Sequence, residues 1–189
     1  MNRREAVKRV AWIMGGAIVG ANLFLEGCAR KATPRVEGLF EVDKVDFLGN
    51  IADTILPPTA SPGAKEAGVG SFIPVMVRDC YTSEDQHVVI DGLDKLEAAS
   101  SGRFGRKFQE LDISERTELL VAIDMESKEY QRSKLGEAPN HYFHLLKQLT
   151  LLGYFTSELG VTKALRYIQI PGRYDGNYPY KKGDGAWAL

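Results

Sequence analysis

The sequence predicts one small all-α domain that ends in an extended tail rich in aromatic residues, glycine and proline. Between residues 40 and 160, apolar residues recur every three or four positions, which is the spacing of one face of a helix. No stretch alternates apolar and polar residues in the regular way that indicates strands, and no segment repeats. From Tyr167 onward, glycine and proline recur too often for a regular helix.

Length and composition fit a single globular unit. The chain has 189 residues, of which 44% are hydrophobic and 26% charged, and this is enough to enclose a hydrophobic core. The formal net charge is −1 and no basic patch stands out, which argues against nucleic acid as a partner. Two cysteines cannot build a disulfide framework. If Cys28 is acylated, Cys80 has no partner in the chain, and we expect it to be buried rather than bonded to another chain.

Residues 1–28 resemble a secretory signal peptide. A basic start with adjacent Arg3 and Arg4 is followed by an apolar run over residues 10–25 and then by Cys28. The run is about 16 residues long, short of the roughly 20 of a membrane-spanning helix, so a signal is favoured over a transmembrane anchor. The paired arginines resemble those of a twin-arginine signal peptide, which is recognised by the translocon that exports folded proteins. The residues before Cys28 resemble a lipobox, so we expect a periplasmic protein attached to the membrane by a lipid anchor at Cys28.

Residues 29–38 are polar and predict a tether, and residues 39–189 predict the folded domain. The first helix begins near Phe40 and ends before Pro57 and Pro58, because proline lacks the amide that a further turn would use. A turn-rich loop follows this helix. The inward face of the helix is predicted to consist of Val45, Leu48, Ile51 or Ala52, and Ile55.

The second and third helices are predicted from a short apolar pattern and a capping signal. Residues 71–79 predict a short helix. Its predicted apolar side consists of Phe72, Val75, Met76 and Cys80. Ser83 and Gln86 have the spacing of a capping box, which predicts a helix from there to about residue 99. The side chains that this helix should bury are Val89, Leu93 and Leu96.

Two further helices complete the predicted domain. Residues 112–115 predict the start of one of them. Its inward side chains are predicted to be Leu119, Leu120, Ile123 and Met125. The longest helix is predicted over residues 139–159, with Gly160 as a left-handed C-cap. Its buried stripe is predicted to contain Phe143, Leu146, Leu149, Leu152 or Gly153, and Phe155 or Thr156.

The tail over residues 167–189 carries five aromatic residues of the kind that anchor protein interfaces. They are Tyr167, Tyr174, Tyr178, Tyr180 and Trp187. Two interpretations are open: the tail binds a partner, or it folds back over its own domain. Contact with a partner is the favoured interpretation.

The sequence lacks the common motifs of cofactor sites and catalytic sites. It contains no glycine-rich dinucleotide fingerprint, no haem-attachment motif and no nucleophile elbow. His141 and His144 share one helix face, but no further metal ligands accompany them, so two surface or interface histidines are favoured over a metal site. A folded-export signal on such a chain predicts that the signal also serves a partner, which binds the cofactor.

Two blocks of residues occur in a familiar order. The first covers residues 53–59, with the sequence DTILPPT, and continues with PGA and GV before Phe72. The second covers residues 152–160, with the sequence LGYFTSELG, and leads through PGRY to Trp187. The chain thereby resembles the gluconate 2-dehydrogenase subunit 3 family. Together with the N-terminal signal, the resemblance spans nearly the whole chain.

The resemblance implies the small, non-catalytic subunit of a membrane-associated, flavin-dependent sugar dehydrogenase. In such complexes a large subunit of the glucose-methanol-choline oxidoreductase type binds FAD, and a c-type cytochrome with haem c takes the electrons in many of them. The small subunit carries the twin-arginine signal and is needed for maturation and export of the large one. The family provides no catalytic, cofactor-binding or metal residues to transfer to this chain.

We predict that the tail and the region around Tyr154 bind the flavoprotein. The predicted interface residues are Tyr154, Tyr167, Pro171, Tyr174, Tyr178 and Trp187. One alternative is a free-standing lipoprotein that binds a small ligand or a component of the cell envelope, with a pocket lined by residues of the tail. The other is a metal-dependent enzyme that uses His141 and His144.

Overall fold

Six α-helices form the part of the chain that the computed structural model describes, namely residues 34–170, 172 and 175–188. In chain order they are α1 Pro34–Glu37, α2 Val42–Ile55, α3 Val69–Cys80, α4 Ser83–Phe104, α5 Ile113–Ser133 and α6 Tyr142–Thr156. Short 3₁₀ turns occur at Gly38–Phe40 and Phe108–Glu110, and a π-helical turn occurs at Gly160–Ala164. No strand occurs in these residues, so the prediction of an all-α domain is confirmed. None of the described helices combines the length and the apolar composition that crossing a bilayer requires.

The folded unit begins at Pro34, within the segment predicted as a tether. Val36 of α1 is fully buried, and the Arg35 guanidinium lies 2.9 Å from a carboxylate oxygen of Asp91 on α4. The predicted tether is therefore corrected over its last five residues, because an apolar side chain and an ion pair hold them on the domain. The predictions for Arg3, Arg4, Cys28, Pro171 and Tyr174 lie outside the described residues.

Helices α2 and α3 cross with their backbones in close contact. Leu48, Ile51 and Ala52 of α2 are buried as predicted. At the crossing, a Cβ atom added to Gly70 of α3 would lie 2.6 Å from the carbonyl oxygen of Val45. Only glycine allows this approach.

The buried face of α3 differs from the predicted one. Val69, Ile73 and Val77 are buried, whereas the predicted side is partly or largely exposed. That predicted side consisted of Phe72, Val75, Met76 and Cys80. Helix α3 carries apolar residues around most of its circumference, so periodicity alone leaves the orientation open, and the close approach at Gly70 determines it. Cys80 is consequently exposed, not buried as expected, with its sulfur 4.0 Å from that of Met76.

Helix α4 begins and ends differently from the prediction. Thr82, not Ser83, is the N-cap, and its hydroxyl accepts a hydrogen bond from the amide of Asp85. The side chain of Gln86 is buried and donates to the carbonyl oxygen of Val77 at 3.0 Å, so it closes the end of α3 rather than the start of α4. The helix continues past residue 99, where it was predicted to end, to Phe104 and stops at Gly105, which adopts a left-handed conformation. The predicted inward residues of α4 are buried, namely Val89, Leu93 and Leu96.

Helix α5 begins where the sequence predicts. The carboxylate of Asp112 accepts from the amide of Glu115, and the carboxylate of Glu115 accepts from the amide of Asp112, which completes a capping box. The predicted residues Leu119, Leu120 and Ile123 are buried. Met125 is 65% exposed, which corrects its predicted inward position, because it lies on the opposite side of the helix.

Helix α6 lies at the centre of the fold and is shorter than predicted. It packs against α2, α3, α4 and α5. The buried members of its predicted stripe are Phe143, Leu146, Leu149 and Gly153. The helix ends at Thr156 because the Ser157 hydroxyl donates to the carbonyl of Tyr154 and accepts from the amide of Gly160, which turns the chain. Gly160 is thus not a left-handed cap; it is needed because a Cβ there would collide with the carbonyl oxygen of Tyr154.

Candidate partner-binding surface

The outward face of α6 near its C-terminal end is apolar. Leu151, Leu152 and Phe155 are 39%, 46% and 40% exposed. The buried face of the same helix is also apolar, so this part of α6 is apolar on both sides. A helix that is apolar all round is expected to be covered on all sides, and among the described residues nothing covers this face fully.

Helix α5 extends this apolar surface. The Lys147 ammonium of α6 lies 2.7 Å from the Asp124 carboxylate of α5, and the rings of Tyr130 and His141 lie 5.7 Å apart. These two pairs define an antiparallel register, in which Val121 of α5 and Leu151 of α6 lie at a similar level along the helix axes. We call the combined surface the outer strip. It consists of Val121, Met125, Leu151, Leu152 and Phe155.

The rim of the outer strip carries a cluster of charged side chains, with two ammonium groups on one carboxylate. Asp124 lies between two ammonium groups, those of Lys128 and Lys147, each at 2.7 Å. Partial burial would raise the pKa of Asp124, but the hydrogen bonds from the two lysines outweigh it and hold that pKa below its usual range. An apolar centre bordered by polar and charged groups is the general anatomy of a protein–protein interface.

Tyr154 has a different position from the one predicted for a partner contact. Its side chain is buried, and its hydroxyl donates to the carbonyl oxygen of Pro62 at 2.7 Å. It therefore fixes the loop between α2 and α3 to α6, and its ring is not available to a partner. The neighbouring Phe155 meets the Tyr154 ring edge-on at 5.1 Å and is the aromatic residue that this region exposes.

The tail closes on Arg166. The amide of Arg166 donates to the carbonyl of Ala186, and the amide of Ala188 donates to the carbonyl of Arg166, both at 2.8 Å. The guanidinium lies 2.7 Å from the Asp184 carboxylate and 5.2 Å from the centre of the Trp187 ring. We call this arrangement the Arg166 clasp. The pKa of Asp184 is held below its usual range, first by the amide of Lys181 and then by Arg166.

The clasp brings together some of the predicted interface residues. Tyr178 and Trp187 meet edge-to-face at 5.3 Å, and both lie near the Arg166 guanidinium. They remain half-exposed, as does Tyr167. The tail thus contacts its own chain, as one of the two interpretations of the sequence expects, and still presents aromatic surface. The contact of these residues with a partner stays a prediction.

Of the two histidines considered as metal ligands, His141 has a structural role. The Nδ1 atom of His141 accepts the amide of Phe143 at 3.2 Å and so caps the start of α6. Burial lowers the pKa of His141, and the nearby Glu126 carboxylate, 3.8 Å from Nε2, only partly opposes this. Within the described residues, no group of three or more His, Cys, Asp or Glu side chains is arranged to hold a metal ion.

A cleft of about 500 Å³ lies between α4, α5 and the segment that leads into α6. Tyr142 lies at its base, where burial raises the pKa of its hydroxyl to about 12. No residue of the tail lines this cleft, so it is not the pocket that the ligand-binding alternative predicts.

The sequence analysis did not predict the outer strip, although the leucine pattern of α6 indicates it. Leucine pairs at residues 145–146 and 151–152 place apolar side chains on two sides of one helix. The sequence analysis predicts a buried apolar stripe on only one side of this helix.

Comparison with known proteins gives a match to a protein family. The family model described as gluconate 2-dehydrogenase subunit 3 matches residues 43–172, which run from α2 to the first part of the tail. No curated protein and no solved structure matches the chain.

Proposed function

Because this chain belongs to the gluconate 2-dehydrogenase subunit 3 family, we propose that it is the small, non-catalytic subunit of a flavin-dependent sugar dehydrogenase complex. The family match covers more than half of the chain and supports an accessory role within an oxidoreductase complex. In this proposal a large subunit of the glucose-methanol-choline type binds FAD and oxidises the sugar or polyol. A c-type cytochrome then accepts the electrons.

The outer strip is the observation that carries this proposal. Monomeric proteins rarely leave a contiguous apolar surface uncovered, and an apolar surface with a polar rim commonly marks a binding site for another protein. The strip contains an aromatic residue, Phe155, next to three aliphatic side chains and a methionine, which suits the anchoring centre of an interface. We propose that the flavoprotein covers this strip.

The signal-like N-terminus extends the proposal to export. Arg3 and Arg4 would direct the folded pair to the twin-arginine translocon, and a lipid at Cys28 would hold it at the membrane. The large subunit would bind its flavin before export, with this chain docked on it. Maturation, export and attachment of the large subunit would then all depend on this chain.

Co-purification from membranes tests the proposal. We expect the tagged chain to retain a protein that carries flavin absorbance and reduces an electron-accepting dye when sugar is added. The double variant Leu151→Asp/Phe155→Asp should lose that protein, because two carboxylates would be buried without partners at the interface. The matched control Val42→Asp/Leu135→Asp changes two residues that are 83% and 87% exposed outside the strip, and it should retain the flavoprotein.

Two outcomes would contradict the proposal. One is a chain that purifies as a stable monomer without flavin, which would favour the free-standing ligand-binding lipoprotein. The other is equal retention of the flavoprotein by both double variants, which would exclude the outer strip as the contact.

A further inference from the structure

Charge is unevenly distributed between the helical part and the tail. The tail together with Arg166, residues 166–189, contains four basic and two acidic side chains, whereas residues 34–165 contain 14 basic and 21 acidic ones. The tail is therefore a positively charged segment on a negatively charged domain. Such a segment is attracted to an anionic surface, which the rest of the domain would repel.

Exposed apolar side chains are concentrated in the same segment. Ile170 is 80% exposed and Tyr180 is 75% exposed, and both are outside the clasp. Tyr167 and Ile168 are about half-exposed. Tyrosine and tryptophan with adjacent aliphatic and basic residues are typical of segments that lie in the interface of a lipid bilayer, where one end of the side chain is in hydrocarbon and the other in water.

The Arg166 clasp determines which charges of the tail are free. Its ion pair with Asp184 neutralises one basic and one acidic residue. Lys181 and Lys182 follow Tyr180 directly, and neither ammonium group forms an ion pair with a described residue. The clasp thus holds a loop closed at its base, with apolar and basic side chains on its exposed part.

We propose that the tail is a peripheral membrane contact that binds the surface of a bilayer containing anionic lipids. Lysine is depleted at the centres of protein interfaces, so Lys181 and Lys182 beside Tyr180 favour a lipid surface over a protein surface. Basic residues near an anionic leaflet and shallow insertion of apolar side chains add to each other. This contact goes beyond the proposed subunit function and does not depend on it, because the outer strip remains free for the flavoprotein.

Sedimentation with lipid vesicles tests the proposal. The full chain is titrated with vesicles of phosphatidylcholine alone and with vesicles of equal parts phosphatidylcholine and phosphatidylglycerol. Every variant keeps residues 1–33, so differences between variants report the contribution of the tail. Lys181→Glu/Lys182→Glu should weaken binding to the anionic vesicles by at least about 25-fold, from roughly fivefold for each positive charge removed, and high salt should abolish this difference.

A second pair of variants separates the apolar contribution from the charge. Ile168→Ser/Ile170→Ser should weaken binding to both kinds of vesicle, whereas Val42→Ser/Leu135→Ser removes aliphatic side chains elsewhere that are at least as exposed, and it should bind like the wild type. Lys95→Glu/Lys107→Glu, which reverses two exposed lysines of the helical part, is the matched control for charge. Circular dichroism confirms the helical fold of each variant.

Three results would overturn the proposal. The first is binding of both tail variants to vesicles at wild-type strength. The second is an equal loss of binding in the control variants. The third is normal vesicle binding by the tail variants together with loss of the flavoprotein, which would make the tail a protein interface. The outer-strip variant Leu151→Asp/Phe155→Asp should still bind vesicles, so failure of the subunit proposal is distinguishable from failure of this one.

Discussion

The helical part and the tail are held together in different ways. In the helical part, buried side chains such as Leu146 and Phe143 lie on α6, which packs against four other helices, so many contacts share the stabilisation. The described tail residues contain no buried side chain, and the hydrogen bonds, ion pair and ring contacts of the clasp all involve Arg166. A single substitution should therefore remove the order of the tail, whereas the helical part should lose stability in proportion to the volume removed from its core.

The largest effect is expected in the centre of α6. Leu146 is fully buried, and Leu146→Ala should lower the free energy of unfolding by about 2–5 kcal/mol, because it removes apolar contacts and leaves a cavity. Urea denaturation followed by circular dichroism measures this change. Leu135→Ala, at a residue that is 87% exposed, should cost less than about 0.5 kcal/mol. Equal costs at the two positions would contradict a core centred on α6.

An intermediate effect is expected at the start of α6 and depends on pH. Burial lowers the pKa of His141 in the folded state from its ordinary value of 6.5, so the unfolded chain takes up the proton first. The stabilisation is thus complete above about pH 6.5 and decreases as the pH falls below it. His141→Asn keeps a side chain that can cap the helix but does not titrate, and it should flatten the decrease between about pH 7 and pH 5.

His141→Ala is the control for the cap itself. It should be less stable than His141→Asn by about 1 kcal/mol at both ends of that range, because the amide of Phe143 loses its acceptor and neither variant titrates at this position. A wild-type slope in the asparagine variant would show that another group causes the acid sensitivity. The carboxylates with lowered pKa, such as Asp46 and Asp124, contribute stability that is lost only at a more acidic pH.

The smallest effect on global stability is expected at the clasp. Arg166→Gln removes the ion pair with Asp184 and the contact with the Trp187 ring, so the tail should open while the urea midpoint stays unchanged. Limited trypsin digestion should then cut faster after Lys181 and Lys182, as mass spectrometry of the fragments reports. Arg132→Gln, which removes an exposed pair with Glu129, is the control. A lowered midpoint for Arg166→Gln would mean that the tail stabilises the helical part.

The existence of the helices could be predicted from the sequence, but some of their ends and faces could not. The start of α5 depends only on hydrogen bonds between two side chains and two amides that are close in the sequence. The spacing of Asp112 and Glu115 therefore predicts it correctly. The end of α3 depends on Gln86 of the next helix, whose side chain donates a hydrogen bond to the carbonyl oxygen of Val77. No local sequence pattern predicts this hydrogen bond. The orientation of α3 depends on its crossing with α2.

The candidate surface, too, could be predicted from the sequence only in part. The aromatic and basic composition of the tail is a property of the sequence, whereas the central position of Arg166 arises from contacts with residues about 20 positions later. Tyr154 was expected at the surface because aromatic residues often anchor interfaces. Its hydroxyl instead binds Pro62, more than 90 positions earlier, and so the ring lies inside. The outer strip became visible only once the register of α5 and α6 was known.

The crossing of α2 and α3 at Gly70 has a consequence for how the molecule can adapt its shape. Where the two backbones meet directly, no side chain can change rotamer to absorb a shift, so these helices should move only as one rigid body. Adjustment to a binding partner must then occur in side chains such as Met125 and in the tail. Backbone amides of α2 and α3 should accordingly show the slowest hydrogen exchange in the domain, and those of the tail the fastest.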